Sequence, residues 1–73
     1  MDFDSDTTYL GTLVKWDDKI GYGFIHIDGA DCDVFVPGAI IADSARCIGA
    51  RLRLQVTPGP RGWRAVWAAL IDD

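Results

Sequence analysis

Tyr22, Phe24 and His26 fall at every second position of the stretch Ile20-Gly21-Tyr22-Gly23-Phe24-Ile25-His26-Ile27. In an extended chain neighbouring side chains point to opposite faces, so the three rings share one face. Gly21, Gly23, Ile25 and Ile27 share the other, and the isoleucine pair belongs to a core. A glycine inside a strand marks a bend or a close backbone approach. Flat rings on a bent, solvated strand are what stacking on unpaired nucleobases requires. His26 extends the row and has two readings, a contact to a base or phosphate and an ordinary exposed strand histidine. The rings have a second reading too, as an aromatic pair packed under a loop.

Other residues that could do chemistry form weaker patterns. Asp2, Asp4 and Asp6 have the spacing of a calcium loop, but Thr7 stands where that loop needs glycine and no Glu closes it. Cys32 and Cys47 lie fifteen positions apart without a C-x-x-C, and a single His beside them makes no zinc pattern. They read as two reduced thiols, and neither metal nor cofactor is expected. Ser5 and Ser44 lack a partnered base, His26 has no orienting carboxylate at a meaningful spacing, and no glycine-rich loop opens a helix. The chain does not read as an enzyme. Arg51 and Arg53 share the non-core face of one strand, placed to touch phosphates or to pair with nearby Asp. Arg61, Trp63, Arg64 and Trp67 interleave cations with indoles. That pattern suits stacking and cation–π contacts to nucleic acid, and equally a barrel-end cover or a self-association patch.

The elements that must position these groups are short. The chain has 73 residues, enough for one domain that buries only about 60% of its unfolded surface. Its net charge is −4, and every acid is Asp, a residue of turns and caps. An acidic total argues against strong non-specific nucleic-acid binding, although the distribution of charge matters more than its sum. The N-terminus is Asp-rich rather than basic then apolar, and no apolar run approaches membrane-spanning length. A soluble, cytoplasmic protein without membrane contact is expected.

Alternation predicts five strands. The first is Tyr9–Trp16, with Thr12 and Val14 on one face, Leu13 and Lys15 on the other, and Trp16 inside with Val14 unless a bulge intervenes. Asp17-Asp18-Lys19 is a polar turn, the ring strand spans 20–27, and the third strand spans 32–36 with Val34 and Val36 inward and Phe35 outward. Pro37-Gly38 stops it. Residues 39–45 read as a helical turn or loop over a barrel mouth. Leu52, Leu54 and Val56 alternate with Arg51, Arg53 and Gln55 in the fourth strand. Residues 57–62 read as a turn. The fifth strand, 63–71, sets Val66, Ala68 and Leu70 against Ala65 and Trp67. Short strands with a longer third-to-fourth link predict an all-β fold, a small five-stranded antiparallel OB-type barrel over 9–71, behind a flexible acidic tail at 1–8.

At this point the sequence resembles the cold-shock domain family, from about Gly11 to Leu70. Val14-Lys15-Trp16 is similar to the family's V-K-W opening, and Gly21-Tyr22-Gly23-Phe24-Ile25 to its G-F-G-F-I. Asp33-Val34-Phe35-Val36 matches D-V-F-V, Gly49 fits the glycine before the fourth strand, and Gly62 with Ala65 fits G-x-x-A. The resemblance implies a five-stranded OB barrel whose exposed aromatics stack on single-stranded RNA or DNA. It implicates Lys15, Trp16, Tyr22, Phe24 and Phe35; Lys19 and His26 are further candidates near phosphates. The sequence also departs from the family. Asp17-Asp18 replace Phe-Asn, Ile20 replaces Lys, and Pro37-Gly38 replace His and Phe. Each base–aromatic stack is worth roughly 1–3 kcal/mol, so the missing rings weaken a binder strongly. Weak, salt-sensitive binding with a short footprint is expected, in an RNA chaperone or regulator. The rival reading is an OB domain turned to protein contact, with a protein partner or a homodimer through Trp63 and Trp67.

Overall fold

The computed structural model describes residue 4, residues 6–60 and residues 62–71. Part of the expected acidic tail (residues 1–3 and 5) and Arg61 therefore lie outside the described residues. The described part of the tail makes a turn. Thr7 N–H donates to the Asp4 carbonyl at 3.1 Å, and Asp4 N–H donates to the Tyr9 hydroxyl at 2.6 Å.

The fold is all-β. Strands β1 (Tyr9–Asp17), β2 (Tyr22–Ile27), β3 (Asp33–Pro37), β4 (Arg51–Gly59) and β5 (Gly62–Leu70) close into a barrel in the order β1-β2-β3-β5-β4. This is the small OB-type barrel that the strand pattern predicts, with one correction. The pairings are antiparallel except β3 with β5, which is parallel at Phe35 and Arg64, so the sheet is mixed. The cause is the long link after β3. It sends β4 back against β1, and β5, antiparallel to β4, then runs in the same direction as β3.

The core is the inward set of each strand. Leu13, Ile25, Val34, Val36, Leu52, Leu54 and Val56 are fully buried. β4 keeps the clean alternation of its sequence, with Arg51 and Arg53 exposed between buried leucines. The expected cover at 39–45 is two 3₁₀ turns, Gly38–Ile40 and Asp43–Ala45, which bury Ile41 and Ala45. Arg46 ties this link together. Its guanidinium donates to the carbonyls of Gly38 and Ile41 at 2.8 and 3.2 Å and pairs with Asp43 at 2.8 Å.

Two register shifts correct the expected faces. Leu13 pairs with Ile25 and Lys15 with Phe24, which leaves Val14 as an extra residue. Val14 is 44% exposed, not inside, because the buried residue beside it is Leu13, and the bulge then turns Lys15 outward and Trp16 inward. In β5, Ala65 pairs with Val56 and Trp67 with Gln55, so Val66 is the extra residue. Ala65 is therefore buried while Trp67 turns outward, although alternation groups the two. Strand limits shift as well. β2 begins at Tyr22, since Gly21, at φ +76°, donates to the Asp17 carbonyl at 2.8 Å and closes the preceding turn. Pro37 belongs to β3, at its last pair with Tyr22, where a missing N–H interrupts little. β4 continues to Gly59, so the expected turn at 57–62 contracts to a two-residue hairpin between Gly59 and Gly62.

Candidate nucleic-acid interface

β2 and β3 bring Tyr22, Phe24 and Phe35 into one cluster. Phe24 and Phe35 are cross-strand partners with ring centroids 6.2 Å apart, inclined by 68°. Tyr22 meets Phe35 at 5.0 Å and Phe24 edge-on at 6.1 Å. Such inclined contacts are the favourable geometry for aromatic pairs. The rings are half-buried, supported at their bases and open above. They form a platform on the outer wall of the barrel.

Register extends this platform into a row. Lys15 opposes Phe24, Phe24 opposes Phe35, and Phe35 opposes Arg64. Directly opposed residues point to the same face, so the outer wall reads cation, ring, ring, cation across β1, β2, β3 and β5. Neighbouring strands are about 4.8 Å apart, so the row spans roughly 14 Å. Lys15 and Arg64 are exposed, and the ion pairs among the described residues use His26, Arg46 and Arg51 instead. The bulge at Val14 places Lys15 in this row; without it Lys15 would follow Leu13 inward.

A cleft of about 420 Å³ opens beside the rings, lined by Tyr22, Phe24 and Phe35 from β2 and β3 and by Gly59, Pro60, Gly62, Trp63 and Arg64 from the β4–β5 hairpin. The sequence pattern groups Trp63 with Arg64 but does not say where the pair lies. The parallel contact between β3 and β5 brings it to Phe35, and nothing local in the sequence signals that contact.

Trp16, Lys19 and His26 are placed differently. Trp16 opposes Gly23, on the inward side of β2, and its half-buried indole packs against the core at the barrel end. Its Nε1–H donates to Asp18 at 2.6 Å, and the Arg46 guanidinium lies 5.0 Å from its ring centroid. Trp16 is thus set apart from the three-ring cluster. Lys19 sits in the β1–β2 turn, where its backbone N–H donates to the Asp17 carboxylate at 2.9 Å. His26 faces outward two residues beyond Phe24, with Nδ1 3.0 Å from the Asp33 carboxylate. An orienting carboxylate does exist, therefore, and cross-strand pairing supplies it where sequence spacing gives no sign.

The acids around the platform are turned to local partners. Asp17 caps its turn, Asp18 holds Trp16 and Asp33 holds His26. Arg51 grips Asp28 with two hydrogen bonds of 2.8 and 2.5 Å and donates to Thr12 at 2.7 Å. That bonding holds the Asp28 carboxyl below its ordinary value and raises Arg51. Arg51 is therefore engaged on the wall rather than available to phosphates. Comparison of the chain with protein-family models and with curated proteins finds no match.

Proposed function

We propose that this barrel binds single-stranded RNA or DNA weakly, by stacking bases on Tyr22, Phe24 and Phe35 between two phosphate-facing cations, Lys15 and Arg64. The observation that carries the reading is the register row itself, two aromatic rings flanked on both sides by cations on one open wall. Stacking supplies sequence-tolerant affinity because every base has a π face. The cations contribute the salt-dependent part. The resemblance to cold-shock domains agrees with this use of the second and third strands, and by that resemblance the role is RNA chaperoning or regulation in the cytoplasm. The test is a low-salt oligo-dT and oligo-U titration followed by backbone NMR shifts. Tyr22→Ala and Phe24→Ala are expected to weaken binding by about tenfold each while the barrel spectrum is kept. Equal affinity in parent and variants rules the platform out.

A second reading rests on β5. Val66, Trp67 and Leu70 are each about two-fifths exposed, at 42%, 38% and 43%. An apolar outer strand of this kind suits a protein partner or a homodimer. Trp67 is the residue to watch, since Trp63 instead lines the cleft. Light scattering on Trp67→Ser distinguishes the readings: this one requires loss of an oligomer, and the first requires no change.

A further inference from the structure

Resting on that reading, we infer that the cleft between the ring cluster and the β4–β5 hairpin is a base-sandwiching subsite, in which Trp63 covers one nucleobase from the side opposite the rings and Arg64 takes the adjoining phosphate. Three observations support it. Tyr22, Phe24 and Phe35 from β2 and β3 line the cleft together with a β5 wall that carries Trp63, itself packed in part against the core. The hairpin lets that wall come close. Gly59 and Gly62 pair across its tip, and Gly62 adopts φ +112°, which a side chain would strain. The volume of about 420 Å³ sits at the small end of the roughly 300–1,000 Å³ of small-molecule sites, so the cleft admits one or two bases rather than a run.

The rest of the wall accounts for a ligand concentrated there. Beyond Phe35 the chain continues as Pro37 and Gly38, without rings, and Trp16 is held by Asp18 and Arg46. On the β5 side, Arg64 stands directly opposite Phe35. On the β1 side Lys15 flanks Phe24, but the rings, the Trp63 indole and a cation meet together at the hairpin end. The ligand is a short unpaired segment, below or at the bottom of the roughly 4–16 nucleotides that an OB fold covers.

The experiment titrates oligo-dT of one to eight nucleotides against the full chain and its Trp63→Leu, Trp63→Phe and Arg64→Gln variants, by NMR shift at low salt. Affinity is expected to level off by about four nucleotides. Trp63→Leu, which keeps the apolar bulk but not the π face, is expected to lose about tenfold, and Trp63→Phe to retain most of the affinity. Arg64→Gln is expected to lower the salt slope by about 0.7. Binding that keeps rising to eight nucleotides, or Trp63→Leu binding as the parent does, overturns the subsite while leaving the open platform intact. Binding at no length overturns both. An unfolded Trp63→Leu spectrum passes the decision to the length series, and affinity that keeps rising well past four nucleotides overturns the subsite.

Discussion

Among single residues, Gly23 shows how tightly the wall is built. A β-carbon there would run into the Lys15 carbonyl oxygen and come within 2.7 Å of the Trp16 ring. Strand β1 crosses β2 at this point with no room for a side chain. Gly23→Ala is expected to destabilise the barrel by about 1–3 kcal/mol, the usual range for an overpacked site, read as a lower denaturation midpoint. The change should also move Trp16 emission, since that indole lies against the glycine. Gly23 is legible from the sequence as a bend or close approach, because a glycine weakens a strand interior and brings no side chain to pack. What it approaches is not legible, since the Lys15 carbonyl and the Trp16 ring reach it from another strand.

At the scale of elements, the bulge at Val14 decides that Lys15 faces the proposed ligand, and the bulge at Val66 decides that Trp67 turns outward. Val14 and Val66 each stand outside the ladder, and each restarts the alternation, at Lys15 and at Trp67. Bulges increase local twist, which a small closed barrel needs. Period-two alternation holds between bulges and inverts across them, so it places β4 from Arg51 to Val56 correctly and misplaces the ends of β1 and β5. Cross-strand pairing also makes the Asp28–Arg51 contact that fastens the loop after β2 to β4. Asp28 titrates below its ordinary value of 3.8 in the fold, so its contribution is present above that pH and is lost as pH falls through the lowered value. Asp28→Asn is therefore expected to lower the thermal midpoint slightly near neutral pH and to match the parent once the Asp28 carboxyl is protonated in folded and unfolded chains alike. The pair is exposed, so the difference is small and should shrink with added salt.

For the whole molecule, the decisive property is that a chain of net charge −4 presents a local cationic row. The acids near the row are occupied with turn, indole and imidazole partners, and two cations remain on the wall. If both meet phosphates, the logarithm of affinity should fall with the logarithm of salt at a slope of about −1.4. Lys15→Gln should reduce the slope by about 0.7, while Arg53→Gln, on a row with Leu10 and Ala69, should leave it unchanged. A slope near zero with binding retained would assign the affinity to stacking alone. By itself the sequence determined the all-β class, the inward set of β2, β3 and β4, and the ring set Tyr22, Phe24 and Phe35. Those follow from alternation and turn residues, which are local. Only the tertiary structure decided that β5 runs parallel to β3, that Arg64 completes the row begun by Lys15, that Trp63 lines one cleft with the rings, and that Trp16 belongs to the barrel end. Each of these depends on closure of the barrel, which brings together strands far apart in the chain and leaves no periodic trace in either one.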